Sequence, residues 1–333
     1  MEGVTVMLVA VLVLAVFFDY TNGFHDTANA IATSVATRAL SPLYAIIMAT
    51  AFNFIGAFAG TAVAKTIGSG LVDDSTSTTT VVAAALIGAI TWNLITWWRG
   101  LPSSSSHALI GGLLGATLIA SGPSALNPQG IFDKVLVPMV TSPLLGYFIA
   151  LALVIALFWI FRGFERRPMT AGFRRLQVVS AGFMAFSHGS NDAQKTMGII
   201  TLALFSAGLL PTVDVPPWVI VVSATAISLG TAVGGWRIMH TMGHRVVKLE
   251  PVHGFAAETT AATIIYGAAH FGMPVSTTHV ISAAIMGVGS SRGVRAVRWG
   301  VARSILLAWI ITLPMAGLVA AASWYVLNML GLS

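Results

Sequence analysis

The sequence predicts an all-α polytopic membrane protein made of two inverted-topology repeats, whose broken helices meet at a site near the bilayer midplane. Three observations lead to this prediction: the composition, the apolar runs and a duplicated set of polar motifs. Of the 333 residues, 56% are apolar and 8% are charged, whereas a soluble domain has about 25% charged residues. So few polar side chains cannot cover a water-exposed surface, which excludes a soluble protein.

Apolar runs supply about 10–12 candidate transmembrane segments. A helix needs about 20 apolar residues to cross a bilayer, and the runs Val4–Phe18, Val135–Phe161 and Ser304–Met329 approach or exceed this length. The shorter stretches lie near residues 27–37, 43–67, 80–98, 107–120, 176–186, 195–210, 216–239, 255–270 and 279–290. Several are too short to span alone, which predicts helices that are broken at the polar motifs.

Polar motifs that occur twice in the same order indicate an internal duplication. Gly23–Asn29 is matched by Gly189–Lys195, Gly60–Val63 by Gly230–Val233, and Pro102–His107 by Pro274–His279. The offsets between the members of each pair are 166, 170 and 172 positions. One match could arise by chance in a chain so rich in small residues. A run of matches at nearly constant offset is typical of transporters built from two related halves.

Loop charges indicate that the two halves are inverted. The loop Arg38–Pro42 is basic, whereas its counterpart Leu210–Pro217 carries only Asp214. The next pair reverses in sign: Gly68–Thr79 carries Asp73 and Asp74, and Arg237–Glu250 carries Arg237, Arg245 and Lys248. Because basic loops are cytoplasmic, corresponding loops lie on opposite faces of the membrane.

The predicted organisation is repeat one at residues 1–122, a connecting transmembrane helix at 123–163, repeat two at 164–291 and a C-terminal transmembrane helix at 292–333. Arginine clusters in the loops Arg162–Arg175 and Arg292–Arg303 place these loops in the cytoplasm and both termini outside it. These loops explain the net charge of +6, so we expect no nucleic-acid partner. The absence of cysteine excludes thiolate metal sites, and no cofactor is expected.

Asp26 and Asp192 occupy matched positions within otherwise apolar sequence. Ionisable residues inside a membrane are costly and therefore point to function. A helix cap facing a loop would be the structural alternative, but a cap has no reason to recur at the equivalent position of the other half.

The hydroxyl clusters Ser103–Ser106 and Ser276–Thr278 each follow a proline and open an apolar run. Each therefore resembles the start of a half-helix, with free backbone N–H groups beyond the cap. Backbone donors, the positive end of the helix dipole and hydroxyl groups together favour a small oxyanion. Ordinary capping would need one hydroxyl at each start, so the sequence predicts an anion site between the two helix starts.

Histidines flank the same motifs, and a glutamate within an apolar stretch has no acidic counterpart in the first half. The histidines are His25, His107, His188 and His279. We expect them to orient the motifs, with a proton relay or a metal site as alternatives. Glu258 is predicted either to bind a coupling cation or proton, or to pair with a nearby base.

Taken together, Gly23–Ser34, Phe186–Thr196 and the two proline-hydroxyl-histidine motifs closely resemble the inorganic phosphate transporter (PiT) family, of the bacterial low-affinity phosphate permease type. The resemblance covers nearly the whole chain. It implies a symporter of inverted repeats, often homodimeric, that moves phosphate with sodium or protons. A branch that transports sulfate is the alternative within the same fold.

One departure from the family bears on the coupling ion. Members that use sodium have an Asn-Asp-x-x-Asn pattern in both halves, whereas here Lys195 takes the place that Asn29 has in the first half. A fixed ammonium beside Asp192 can replace sodium electrostatically. Asn53 likewise stands where some relatives carry glutamate. We therefore expect proton coupling, with sodium coupling and co-transport of a metal–phosphate complex as alternatives.

These arguments assign roles to named residues of a multi-pass transporter of the cell (inner) membrane, surrounded by lipid. The predicted phosphate-binding residues are Ser104, Ser105, Ser106, Ser276, Thr277, Thr278, Asn29, Gln194 and Lys195, and the predicted coupling residues are Asp26, Asn29, Asp192 and Glu258. An intramembrane hydrolase would need one nucleophile with one oriented base, which the symmetric duplication argues against. A passive anion channel is disfavoured by the paired aspartates.

Overall fold

The computed structural model describes residues 2–73 and 78–332, so Asp74 lies outside the described residues. The described residues form helices and connecting turns, apart from an isolated bridge between Val72 and Leu126. The all-α prediction is therefore confirmed.

The helices follow one another along the chain with short connections. They are α1 (Glu2–Ala36), α2 (Pro42–Gly56), α3 (Ala62–Ser69), α4 (Thr79–Arg99), α5 (Ser105–Ser121), α6 (Pro128–Ile131), α7 (Val137–Ile160), α8 (Arg166–Ser206), α9 (Pro217–Val233), α10 (Trp236–His240), α11 (Pro251–His270), α12 (Thr277–Ser290) and α13 (Trp299–Met329). A wider helical turn at Phe132–Leu136 joins α6 to α7, so that the two form one continuous rod.

Several helices are long and apolar enough to cross a membrane. Within the described residues there are four such spans, or five if α9 and the following helical segment Trp236–Arg245, bent by 60°, count together as one. The spans are Val6–Ala36, Thr79–Arg99, Pro128–Ile160 and Trp299–Met329. Other helices do not qualify by length and composition; α2 and α5, for example, are apolar but only 15 and 17 residues long. The chain is thus a multi-pass membrane protein.

The two aspartate motifs do not break their helices, contrary to the sequence prediction. α1 runs for 35 residues through Asp26, and α8 runs for 41 residues through Asp192. The glycine in each motif allows a close helix contact. A Cβ atom on Gly23 would overlap the carbonyl oxygen of Ile227 in α9, and one on Gly189 would overlap that of Asn53 in α2. Small residues bring membrane helices together in this way.

The breaks occur instead before the hydroxyl clusters. α4 ends at a left-handed glycine, Gly100, and α5 begins a few residues later at Ser105. α11 and α12 are separated by a similar turn that contains Gly272, also left-handed, and Pro274. Each pair therefore forms a hairpin whose second helix starts inside the protein.

The helix order of the first half recurs in the second. A very long helix is followed by a medium one, a short one, a hairpin of two helices and a final long helix: α1 to α7 in the first half and α8 to α13 in the second. The final helices are exchanged, because α7 packs against α12 and α13 packs against α5. This recurrence favours the predicted duplication, with α7 as the final helix of the first series and α13 as the final helix of the second.

Candidate functional site

Asp26 and Asp192 come together where α1 packs against α8. Their carboxylate oxygens and a ring nitrogen of His188 lie within 4.8 Å of one another. Both aspartates are at most 2% exposed. The structure thus joins the two matched aspartates in one buried place. We call this place, with Lys195 and the first turns of α5 and α12, the central site.

Lys195 lies one helical turn after Asp192 on α8 and is fully buried. Its ammonium donates hydrogen bonds to Asp192 Oδ1 and to Ser106 Oγ, and a longer one of 3.4 Å to the carbonyl oxygen of Val275. A buried ammonium is tolerated only with such an ion pair and further hydrogen bonds. Lys195 therefore links the second aspartate to the first turn of α5 and to the turn before α12.

Both half-helices begin as the hydroxyl clusters predicted. Ser104 is the N-cap of α5 and accepts a hydrogen bond from the backbone N–H of His107 at 3.1 Å. Ser276 is the N-cap of α12 and accepts one from His279 N at 3.2 Å. The prolines stand two residues before the caps rather than in the first helical turn. The positive ends of both helices point toward the central site, as their contacts with Lys195 and the aspartates show.

The hydroxyls of α12 hold the two aspartates. Thr278 Oγ1 donates to Asp26 Oδ1, and Thr277 Oγ1 donates to Asp192 Oδ2, each at 3.3 Å. Asn29, one turn after Asp26, donates its amide to Thr278 Oγ1 at 2.9 Å and to Thr277 Oγ1 at 3.2 Å. Residues predicted from both halves therefore form one hydrogen-bonded network.

The first turn of α5 reaches the same network through Ser106. Its hydroxyl accepts from Lys195 and lies 3.4 Å from the carbonyl oxygen of Val275. The Ser105 hydroxyl is buried and has no hydrogen-bond partner among the described residues. An unpartnered donor at a helix start is available to a bound oxyanion.

The four histidines divide into two pairs with different positions. His25 Nδ1 lies 2.8 Å from Asp26 Oδ1, and its Nε2 lies 3.0 Å from Thr96 Oγ1. His188 Nε2 lies 3.2 Å from Asp192 Oδ2, and its Nδ1 lies 3.1 Å from Asn53 Oδ1. Each of these two rings is held between a motif aspartate and a polar side chain, a position that suits the predicted orienting role.

The other two histidines contact each other rather than the aspartates. The rings of His107 and His279 meet edge to face with their centres 4.7 Å apart, and His279 stacks on Trp309 at 4.0 Å. These contacts join the first turns of α5 and α12. The pair thus packs the two helix starts together.

Two residues predicted for the site lie away from it. Gln194 accepts a hydrogen bond from the backbone N–H of Val63 at 2.8 Å and donates to Ser190 O at 2.5 Å. It therefore faces the start of α3, because a neighbouring position on a helix points about 100° away. The structure does not bring Gln194 to the phosphate-facing side that we predicted for it.

Glu258 is buried on α11. It contacts α1 at Thr33, about two helical turns after Asp26. Its carboxylate accepts hydrogen bonds from Thr33 Oγ1 at 2.5 Å, from Gln177 Nε2 at 3.0 Å and from Ser180 Oγ. Within the described part of the chain, no base pairs with it, so the predicted alternative of a salt bridge is not seen. Thr33 lies seven residues after Asp26 on the same face of α1.

Several polar residues support the site although sequence reasoning gave them no role in it: Thr96 and Asp19 were missed, whereas Ser103 and Asn53 were noted only as part of a hydroxyl cluster and as a departure from relatives. Thr96 and Ser103 contact each other at 2.8 Å beside His25. Asn53 bridges His188 and Thr231. Asp19 is fully buried on α1. Their shared signal is a polar side chain within an apolar helix, which is the same signal that identified Asp26.

The arrangement can bind an anion together with protons or a cation. Asp26, Asp192 and His188 offer hard oxygen and imidazole ligands within a few ångströms of one another, and such a set can hold a metal ion. Lys195 already engages one oxygen of Asp192, which leaves fewer ligand positions for a cation there. The helix starts and their hydroxyls supply donors for an oxyanion.

Comparison with known proteins identifies the family. The chain matches the phosphate transporter family over residues 22–320. It is 46% identical over 333 residues to a probable low-affinity inorganic phosphate transporter of Bacillus subtilis (strain 168), covering 99% of this chain and 100% of that protein. It is 50% identical over 321 residues to a protein of the same description from Rhizobium meliloti (strain 1021), covering 96% of each.

A solved structure has the same fold. It is described as the sodium-dependent phosphate transporter and superimposes with a TM-score of 0.85 at 26% identity, covering 97% of this chain and 99% of that chain. The family match and the similar sequences confirm the expected resemblance to phosphate transporters. With a match over most of its length and relatives near half identical from end to end, the chain belongs to the phosphate transporter family.

Proposed function

We propose that this protein imports inorganic phosphate across the cell membrane by symport with protons. Family membership supports phosphate as the substrate. The observation that carries the choice of proton is the buried ammonium of Lys195, which is bonded to Asp192 where a sodium-coupled site would present a free carboxylate.

The phosphate lies between the first turns of α5 and α12 in this proposal. The first N–H groups of a helix have no partner within the helix, so those after Ser104 and Ser276 can donate to phosphate oxygens. The unpartnered hydroxyl of Ser105 adds a further donor. The hydroxyls of Ser106, Thr277 and Thr278 lie in the same first turns and would donate to the anion after turning away from Val275 and the aspartates. Ser104 and Ser276 serve as caps that fix the direction of the two helix starts.

Charge balance requires cations to accompany the anion. Asp26 and Asp192 carry two formal negative charges and Lys195 carries one positive charge, and all three are buried. Adding a phosphate anion increases the negative charge in a place whose side chains are shielded from solvent. Because buried net charge is very costly, each phosphate must enter with protons or metal ions. The rings of His25 and His188, each beside an aspartate, are suitable proton carriers.

Sodium coupling is the alternative, and the similarity to a solved structure described as the sodium-dependent phosphate transporter supports it. A sodium ion at Asp192 would have to share the carboxylate with an ammonium, and two cations at one carboxylate repel each other. Asp26, without a lysine, remains open to either ion. The proposal therefore places the difference between this protein and a sodium-dependent relative at Lys195.

Uptake of radiolabelled phosphate into proteoliposomes tests the proposal. An imposed pH gradient, acidic outside, should drive accumulation without sodium, and excess sulfate should leave it unchanged. A sodium gradient alone should drive none. Strict dependence on sodium would contradict proton coupling. Competition by sulfate would show that the protein accepts sulfate as a substrate.

A further inference from the structure

Asp19 is a buried carboxylate that the proposed mechanism does not use. It lies on α1 seven residues before Asp26, which is two helical turns or about 10 Å along the same face. Its side chain is 0% exposed. A carboxylate inside a membrane segment is energetically costly, and its presence therefore indicates a function.

The surroundings of Asp19 are polar but incompletely bonded. Asn22 on α1 and Thr196 on α8 are its polar neighbours. Both oxygens of Asp19, both amide atoms of Asn22 and the hydroxyl of Thr196 are buried without a hydrogen-bond partner among the described residues. Buried polar side chains without a partner occur elsewhere in the described part of the chain, but here a carboxylate, an amide and a hydroxyl lie side by side, which points to a ligand that they share.

Few charged groups face Asp19. α8 presents Asp192 and Lys195, which act on Asp19 with opposite signs. α1 itself contributes His25 and Asp26 about two turns away. α9 has no ionisable side chain, and α4 has only Arg99, in its last turn.

In the part of the chain that the structure describes, no cation is therefore free to neutralise Asp19. The Lys195 ammonium is bonded to Asp192 and to Ser106. An ionised Asp19 would compete with Asp192 for this ammonium, because both carboxylates attract it.

We propose that Asp19 binds a coupling proton and is a second protonation site of the transport cycle, separate from the central site. A proton neutralises the carboxylate without needing a shell of ligands. A sodium ion would have one carboxylate, one amide and one hydroxyl around it, with the Lys195 ammonium nearby. This inference rests on the proposed proton symport and adds the residue that carries one of the protons.

Protonation of Asp19 would be sensed at the phosphate site through Lys195. When Asp19 is neutral, the ammonium stays with Asp192 and Ser106, which is the arrangement in the structure. When Asp19 loses its proton, it draws the ammonium away from Ser106. The first turn of α5 then loses a contact, so proton release at Asp19 weakens phosphate binding two turns away.

The variant Asp19→Asn tests the inference, because asparagine has the shape of the protonated acid but cannot release a proton. Reconstituted protein is compared in two assays, both with radiolabelled phosphate. Exchange of internal for external phosphate without a gradient should stay within about twofold of the wild type. Accumulation should fall by about tenfold for each pH unit of imposed gradient, since one proton fewer moves with each phosphate.

Asp214→Asn is the matched control, since it makes the same chemical change at an exposed aspartate that pairs with Lys65 at the surface. It should accumulate phosphate like the wild type. If Asp19→Asn also accumulates like the wild type, or if it loses exchange together with accumulation, Asp19 is not a proton site. Wild-type protein driven by sodium alone would instead refute the proposed function.

A second variant covers the case in which Asp19→Asn does not fold. Asp19→Glu keeps an ionisable group on a longer arm, so accumulation should persist with a displaced pH profile. An unchanged pH profile in this variant would overturn the inference.

Discussion

At the scale of single residues, Lys195 distinguishes the two otherwise similar aspartate motifs. Its ammonium is held by Asp192, Ser106 and the carbonyl oxygen of Val275, whereas Asn29 at the matched position donates to Thr277 and Thr278. The first motif thus places a side-chain amide one turn after its aspartate, and the second motif places an ammonium there.

Lys195→Asn should change the coupling ion. The substitution gives the second motif the residue of the first and removes the cation from Asp192, so that a sodium ion can take its place. We expect phosphate uptake to become dependent on sodium and to lose at least part of its response to a pH gradient. The measurement is uptake into proteoliposomes under each gradient separately. Uptake that keeps the wild-type dependence on both ions would show that Lys195 does not determine the ion.

Asp26→Asn should abolish concentrative uptake while the protein still folds. Asp26 contacts His25 and Thr278, and an asparagine side chain can keep a hydrogen bond to both. Loss of one ionisable group from the central site removes a charge that the coupling ion balances. Accumulation ratios report the first effect, and thermal unfolding in detergent reports the second. Normal accumulation would remove Asp26 from the mechanism.

Most of the site residues could be predicted because polar side chains in an apolar sequence are visible without a structure. Gln194 could not be placed, since one position along α8 decides whether a side chain faces the aspartates or α3. Asp19 was overlooked because it has no counterpart in the second half. The prediction selected residues that recur at matched positions of the two halves, and Asp19 does not recur.

At the scale of helices, the glycines of the aspartate motifs determine how closely the elements approach. Gly23 packs against α9 and Gly189 packs against α2, and neither leaves space for a methyl group. The sequence could not distinguish this use from a helix break, because glycine is compatible with both. Starts of α5 and α12 were predicted correctly, since proline, hydroxyl and apolar residues act in the same direction there.

Gly189→Ala should destabilise the protein by about 1–3 kcal/mol, because the added methyl group meets the backbone of Asn53 and forces the helices apart. Gly267→Ala in α11 is the matched control. Nothing lies within 4 Å of its added methyl group, and alanine favours a helix. Thermal unfolding of the two variants should therefore differ clearly. Equal stability would show that the α2–α8 contact is less close than described.

At the scale of the whole molecule, the central site is closed to both sides. Each of its side chains is at most 2% exposed. A cavity of about 360 Å³, lined by residues that include Arg99, Arg237 and Arg245, lies elsewhere. Transport therefore requires movement of the elements that carry the motifs, which a sequence cannot show. Its apolar runs predicted the class of fold, but the packing of α7 and α13 across the halves was not visible in them.

The exchanged packing of the final helices also bears on how the protein is made. α13 packs against α4 and α5, yet it is synthesised well after both have left the ribosome. Until then the segment before α5 lacks the hydrogen bond that Trp309 of α13 donates to the carbonyl oxygen of Pro102 at 3.2 Å. We therefore expect the proposed anion site to be completed only late in biosynthesis, when α13 has joined the rest of the chain.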